Sequence, residues 1–144
     1  MHITSAFSAA FALTCLYPAC NVGAFPGNRV LMEILILEDD LDVGIVYASA
    51  LKGAGHNVRV YSSFEVARTA LRESVPDGLL TDVRVGSYNG LQLALLFRTI
   101  AKDSPIVVVS GHDDAVIQEE ARRVPAVFLV KPVSLDAIVS IFAE

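Results

Sequence analysis

Four short apolar runs in this chain each end in a side chain that can do chemistry: a carboxylate, a hydroxyl or an ammonium group. In chain order these residues are Glu38 with Asp39, then Asp82, then Ser110, then Lys131. If the runs are parallel strands of one sheet, their carboxyl ends meet at the edge where open α/β sheets bind ligands. Three carboxylates there repel one another and attract a divalent cation, while the lysine can meet an anion. The pattern therefore predicts a magnesium-dependent phosphoryl acceptor.

Each of these side chains suits one part of that chemistry. Asp82 stands alone after its run, and a carboxylate can attack a phosphoryl group to form an acyl phosphate. Together with Asp82, Glu38 and Asp39 suit an octahedral Mg²⁺ that keeps some waters and takes a phosphate oxygen. Lys131 can neutralise phosphoryl oxygens, and the Ser110 hydroxyl can reach them. The structural alternatives are a capping carboxylate, a turn serine and a solvated lysine.

The elements that must position these residues follow from the pattern after Met32, where short apolar runs alternate with helical patterns. Such alternation is typical of βαβ units and a parallel sheet. The sequence predicts five strands, at about 33–38, 56–61, 78–81, 106–109 and 126–130. It predicts five helices, at about 41–53, from 64 to before Pro76, 90–100, 114–123 and 135–142. Candidate N-caps are Asp40, Ser62 or Ser63, Asp113 or Asp114, and Ser134. A loop is expected over 82–89, and His56 is expected at the surface or in a turn.

Composition restricts the class of protein. The 144 residues suit one domain, and 53% hydrophobic with 19% charged residues can build a core. A formal charge of −5 argues against a general binder of nucleic acid or anionic membranes. Cys15 and Cys20 lie in the first segment, and this C-x4-C pair without nearby histidines is a weak metal signal. Residues 32–144 have no cysteine, which fits a reducing cytosol and excludes a disulfide framework there.

The first 31 residues differ from the rest. Arg29 is their one charged residue, and only His2 stands where a secretory signal needs a basic start. Polar residues and Pro18 interrupt the apolar stretch of this segment, so it does not suit a membrane span. Met32 begins a strand as a cytosolic domain would begin. We therefore expect residues 1–31 to be a disordered leader or a mis-called start, and residues 32–144 to be a cytoplasmic domain.

Together these residues resemble a response-regulator receiver domain, the flavodoxin-like module of two-component signalling, over residues 33–143. The motifs that carry the resemblance are Glu38-Asp39, Asp82, Asn89-Gly90, Ser110 and Lys131-Pro132. The resemblance implies an α/β fold: a doubly wound, five-stranded parallel sheet in the order 2-1-3-4-5, flanked by five helices. It also implies Asp82 as the phosphoacceptor, and Mg²⁺ on Glu38, Asp39, Asp82 and the backbone carbonyl of Arg84.

The resemblance implies further roles around that site. Ser110 would be the switching hydroxyl and Phe128 the aromatic residue whose rotamer follows it. Arg84 and His112 occupy the two positions that tune hydrolysis of the phosphoryl group. The bond between Lys131 and Pro132 would be cis, which the sequence alone does not show.

Partners also follow from the resemblance. The phosphoryl donor would be a sensor histidine kinase or a histidine phosphotransfer protein. The output would be an unknown protein that binds the face built from 113–123, 126–130 and 134–142. We expect no nucleic-acid or membrane partner, a monomer or weak dimer, and a signalling domain rather than an enzyme with an external substrate.

Three alternatives stay open beside a stand-alone receiver. One is a phosphorylation-independent interaction domain, against which the retained acids, Ser110 and Lys131 argue. Another is a related magnesium-dependent phosphatase, which needs a second aspartate shortly after the nucleophile, where this chain has Arg84. The last is a receiver detached from a hybrid kinase or a larger regulator.

Overall fold

A computed structural model describes residues 30–143. The strands are β1 (Glu33–Leu37), β2 (Asn57–Tyr61), β3 (Gly78–Asp82), β4 (Arg84–Val85), β5 (Tyr88–Asn89), β6 (Ile106–Ser110) and β7 (Val127–Val130). The helices are α1 (Leu41–Gly53), α2 (Phe64–Glu73), α3 (Gly90–Ile100), α4 (Ala115–Arg123) and α5 (Leu135–Ala143). The expectations for the leader and for Cys15 and Cys20 concern residues that lie outside this range, except for the exposed Val30 and Leu31.

The five longer strands form one parallel sheet in the order β2-β1-β3-β6-β7. Without the short strands β4 and β5, this is the predicted order 2-1-3-4-5, so the predicted fold is confirmed. Leu37 lies opposite Thr81, and Asp82 lies opposite Val109. The carboxyl ends of β1, β3 and β6 therefore lie side by side, one residue or less out of step.

Both faces of the sheet are covered by helices. One core cluster holds alternate residues of β1, β3 and β6 under α2, α3 and α4, with Phe97 and Leu71 among its large side chains. The other holds the remaining alternate residues under α1 and α5, including Tyr47 and Phe142. Burial on both faces explains why these strands read as continuous apolar runs rather than as alternating ones.

The predicted helix caps agree with the structure. Asp40 accepts from the backbone N–H groups of Asp42 and Val43, and Ser63 accepts from that of Val66. Asp114 caps α4, and the Ser134 hydroxyl accepts from the Ala137 N–H at 3.3 Å. Each cap satisfies a donor that the first helical turn leaves free. No helix among residues 30–143 combines the length and apolar character needed to cross a membrane.

Arg98, near the end of α3, stabilises the amino-terminal edge of the sheet through hydrogen bonds. Its guanidinium group donates to backbone carbonyls in two segments that lead into β6 and β7. The acceptors and distances are Val124 at 2.8 Å, Pro125 at 2.8 Å, Ala101 at 3.4 Å, Lys102 at 2.7 Å and Ser104 at 2.8 Å. One side chain thus joins the end of α3 to the turn that follows α4.

Two local expectations are wrong. The loop expected over 82–89 contains an antiparallel hairpin, in which Arg84 pairs with Asn89 and Val85 with Tyr88. Its turn begins with Gly86 at φ +60°, a left-handed conformation that glycine adopts without a steric cost. His56 follows a turn, but it is buried rather than at the surface, and its Nδ1 accepts from the Met32 N–H at 3.2 Å.

Candidate functional site

Three carboxylates converge at the carboxyl edge of the sheet. Glu38 and Asp39 follow β1, and Asp82 ends β3. One oxygen from each lies within 4.8 Å of the others. Glu38 is 1% exposed and Asp82 is 8% exposed, whereas Asp39 faces solvent. The strand register alone places these ends together, as the sequence predicts.

Lys131 enters the same cluster from the end of β7. Its Nζ lies 3.1 Å from Oε2 of Glu38 and 3.3 Å from Oδ2 of Asp82. The Lys131 backbone N–H donates to the Ser110 carbonyl at 2.8 Å, which extends the pairing of β6 and β7 by one residue. The bond between Lys131 and Pro132 is cis.

The charges in this cluster do not balance. Burial, and next the charge of Asp82, raise the pKa of Glu38 to about 7, although the Asp40 N–H and Lys131 act in the opposite direction. Burial alone would lower the pKa of Lys131, but the carboxylates of Asp82 and Glu38 raise it overall. Three acids beside one ammonium group leave an excess of negative charge. Their hard oxygen ligands fit a small divalent cation such as Mg²⁺, which would relieve the repulsion.

The backbone of Asp82 is in close contact with the start of α3. A Cβ on Gly90 would lie 1.8 Å from the Asp82 carbonyl oxygen and 2.5 Å from the Thr81 hydroxyl. The Gly90 N–H donates to the Val83 carbonyl at 2.7 Å, and the Thr81 hydroxyl donates to the Asp82 carbonyl at 3.0 Å. Only glycine fits this approach, so the Asn89-Gly90 motif has a steric reason.

The β4–β5 hairpin lies beside the acidic cluster. The Gly86 N–H is directed at Oδ2 of Asp39, with a long N···O distance of 3.5 Å. Arg84 opens β4 two residues past Asp82, and its side chain is exposed. The hairpin thus brings backbone close to the carboxylate of Asp39.

The remaining predicted site residues lie on the β6–β7 side. Ser110 is buried at the end of β6, and its hydroxyl accepts from the His112 N–H at 3.1 Å. The side chain of His112 is exposed. Phe128 pairs with Val108, and the half-buried ring packs on the core cluster under α2, α3 and α4. Phe128 lies two residues before Val130, the register partner of Ser110.

Tyr47 adjoins the site from α1, and sequence reasoning missed it. Burial raises the pKa of its hydroxyl, and the tyrosine lies close enough to Lys131, Glu38 and Asp82 for their charges to act on that pKa. In the sequence it is one more aromatic residue on an apolar helix, so no local signal separates it from the core.

Comparison with known proteins agrees with the fold. The family model for the response regulator receiver domain matches residues 34–143. Response regulator protein TodT of Pseudomonas putida F1 is 30% identical over 122 residues, which cover 82% of this chain and 54% of TodT. The chain therefore spans about half the length of that relative.

Solved structures show the same architecture. A putative response regulator from Chloroflexus aurantiacus J-10-fl superposes with a TM-score of 0.70 at 27% identity, covering 80% of this chain and 100% of the other. A response regulator from Burkholderia pseudomallei, solved with a phosphorylated aspartic acid and a calcium ion, has a TM-score of 0.71 at 21% identity. That match covers 76% of this chain and 65% of the other, and at this identity it shows the fold alone. The chain belongs to the response regulator receiver domain family, the signalling domains of two-component systems.

Proposed function

We propose that this receiver accepts a phosphoryl group on Asp82 from a sensor histidine kinase or a histidine phosphotransfer protein, in a Mg²⁺-dependent reaction. The observation that carries the proposal is the position of the Lys131 ammonium group, 3.1 Å from Glu38 and 3.3 Å from Asp82. A cation held between two buried carboxylates can turn to the oxygens of an incoming phosphoryl group. The ammonium group of a lysine with only a surface role would be expected in solvent, not between two buried carboxylates.

The proposed step is a simple transfer. An oxygen of Asp82 forms a bond to phosphorus while the P–N bond of the phosphohistidine breaks, and the bonding pair returns to the imidazole nitrogen. Such transfers depend mainly on positioning and charge neutralisation. Glu38, Asp39, Asp82 and the Arg84 carbonyl would hold Mg²⁺, which neutralises phosphoryl oxygens. Lys131 contributes the second positive charge.

One phosphorylated response regulator of the same fold supports this chemistry. The Burkholderia pseudomallei response regulator carries both a phosphorylated aspartic acid and a calcium ion. In the present chain, Asp82 is the one aspartate in the cluster that ends a strand of the sheet, with Glu38 and Asp39 beside it. We therefore assign the acceptor role to Asp82 and the metal-holding role to the two neighbouring acids.

The output would follow from a local change of charge. Phosphorylation replaces the single negative charge of the Asp82 carboxylate with the about −1.5 to −2 charges of a phosphoryl group. We propose that Ser110 then turns to the phosphoryl group and that Phe128 changes its rotamer. Phe128 lines a surface groove with Gln118 and Val130, so its movement would alter the face built from α4, β7 and α5. An output protein would bind that face in one of its two states.

We further propose that the chain acts in the cytoplasm as a stand-alone receiver, a monomer or weak dimer that turns over no external substrate. The net charge of −5 supports the absence of a nucleic-acid or membrane partner. The chain covers only 54% of TodT, so a receiver detached from a larger regulator is the competing proposal. The mass of the natively expressed protein distinguishes the two.

Intact mass spectrometry after incubation with acetyl phosphate tests the acceptor role. Wild-type protein should gain one phosphoryl group with Mg²⁺ and none without it. Asp82→Ala should gain none, and Lys131→Ala should react about 100-fold more slowly, the cost of removing one positioned electrostatic partner. Asp42→Ala, an exposed acid in the first turn of α1, is the matched control and should react like wild type. A folded wild type that takes up nothing would favour a phosphorylation-independent interaction domain.

A further inference from the structure

Tyr88 joins the β4–β5 hairpin to α2. Its ring stacks on Phe64, with the centroids 4.6 Å apart and the planes 8° from parallel. Its hydroxyl donates to Oε1 of Glu65 at 2.7 Å. Arg68 donates to the other oxygen of the same carboxylate at 2.6 Å, so the acceptor is itself held in place. Phe64 is buried, which makes the stacking platform part of the core.

The hairpin carries this contact toward the acidic cluster. Tyr88 pairs with Val85 across the hairpin, and Arg84 pairs with Asn89. At the turn, the Gly86 N–H lies 3.5 Å from Oδ2 of Asp39. The hairpin starts two residues after Asp82, so a tilt of these few residues moves backbone groups directly beside the carboxylates.

Tyr88 is not the buried anchor of the hairpin. Tyr88 is 41% exposed, whereas its pairing partner Val85 is 3% exposed and belongs to the core cluster under α2, α3 and α4. Val85 anchors the hairpin by burial, which leaves its tilt to be set by the contact with α2. Loss of the tyrosine should therefore change placement more than folding.

We propose that Tyr88 and Glu65 are positioning residues that set the tilt of the β4–β5 hairpin, and through it the metal affinity of the acidic cluster. The inference rests on the proposed function, because it assumes that Asp39 and the Arg84 carbonyl hold the cation. Tyr88 and Glu65 touch neither the cation nor the phosphoryl group. Their contribution passes through the Gly86 amide and the Arg84 backbone.

Mn²⁺ binding to the unphosphorylated protein, measured by electron paramagnetic resonance, is the direct test. Tyr88→Phe keeps the stack and loses the hydrogen bond, so we expect affinity to fall about threefold, within the range of a single hydrogen bond. Glu65→Ala should have the same effect. The double variant should be no weaker than either single variant, because both remove the same contact. Tyr88→Ala loses the stack as well, and we expect a fall of about tenfold.

The matched control is Val66→Ala. Val66 is exposed on the same turn of α2 and is not part of the contact, so its variant should bind Mn²⁺ like wild type. Thermal unfolding without metal provides a second readout. A purely structural role would lower the unfolding temperature of Tyr88→Phe and leave Mn²⁺ affinity unchanged, and that result would overturn the proposal.

The outcomes separate this inference from the proposed function. Wild type that binds Mn²⁺ and accepts a phosphoryl group, with unchanged affinity in Tyr88→Ala and Glu65→Ala, overturns the positioning role alone. Wild type that binds Mn²⁺ but accepts no phosphoryl group overturns the acceptor role, while the variants still test the hairpin. Wild type that binds no Mn²⁺ overturns both.

Discussion

The Nζ atom of Lys131 lies 3.1 Å from Oε2 of Glu38, a carboxylate that is almost completely buried and 93 residues away in the chain. The ion pair does not fully compensate for the burial of Glu38. Burial and the charge of Asp82 raise its pKa to about 7. Glu38 thus holds its proton more tightly in the folded protein than in the unfolded chain, and this has a consequence for stability.

We expect the stability of the metal-free protein to depend on pH through Glu38. Its folded pKa of about 7 lies above the ordinary value of 4.5, so its contribution is fully present below pH 4.5. The contribution is lost as pH rises through 7, because the folded state must then give up a proton it holds more tightly than the unfolded state. The loss should approach about 3 kcal/mol by pH 8. Urea unfolding at several pH values measures it.

The reference for that experiment is Glu38→Gln, which keeps the side-chain shape and cannot titrate. Only the difference between wild type and Glu38→Gln isolates Glu38, because it cancels the pH dependence that the rest of the protein contributes. The free energy of unfolding of wild type should fall relative to the variant between pH 4.5 and 8. Parallel pH profiles would contradict the prediction.

Gly90→Ala should destabilise the fold and impair the site together. The new Cβ would lie 1.8 Å from the Asp82 carbonyl oxygen, so either α3 or the end of β3 must move. We expect a loss of about 3 kcal/mol in the free energy of unfolding, at the upper end for overpacking. Gly53→Ala is the control, because a Cβ there meets nothing within 4 Å. Equal stabilities of the two variants in urea would show that the approach of Gly90 to Asp82 is not needed.

Arg98→Met should lower the free energy of unfolding by about 2–3 kcal/mol, because several charge-assisted hydrogen bonds to backbone carbonyls are lost at once. Arg98→Lys should recover only part of the loss, since an ammonium group lacks the planar fork of donors. Arg72→Met, at an exposed position in the last turn of α2, should stay within about 0.5 kcal/mol of wild type. Urea unfolding compares the three, and a loss in Arg98→Met no larger than in Arg72→Met would count against the role of Arg98.

Arg84 and His112 should set part of the lifetime of the phosphorylated state. Both side chains are exposed, and each lies two residues past a strand end of the site, Arg84 past Asp82 and His112 past Ser110. We expect Arg84→Ala to lose its phosphoryl group faster, because a long cation next to the group screens it from attacking water. His112→Ala should also change the rate. Decay of the phosphorylated mass after removal of the donor measures both lifetimes, and two unchanged rates would refute the prediction.

The sheet and the acidic cluster could be predicted because both depend on local sequence. Apolar runs that end in Glu38, Asp82 or Lys131 mark the strands and their carboxyl ends, and βαβ connectivity then brings those ends together. The helix caps at Asp40 and Asp114 are equally local. The strand order that places β1 beside β3 came from the resemblance to the receiver family, and the strand ends then place the carboxylates side by side.

The features that escaped prediction depend on distant contacts. The hairpin strands are two residues each, too short for a periodic pattern, and the contact of Tyr88 with Glu65 spans 23 residues. His56 is buried against Met32, which lies 24 residues away in the chain. Arg98 looks like an ordinary exposed helical arginine until the turn after α4 is placed over it.

Because Arg98 stabilises the amino-terminal edge of the sheet, the two edges of the sheet differ in what they contribute to the domain. At the amino-terminal edge, the hydrogen bonds of one guanidinium group stabilise the fold. At the carboxyl edge, the like charges of the carboxylates oppose folding. A deep mutational scan should therefore be polarised along the strands. Variants that reduce the abundance of the protein should cluster near the amino-terminal edge. Variants that lose signalling while remaining abundant should cluster around Glu38, Asp82 and Lys131.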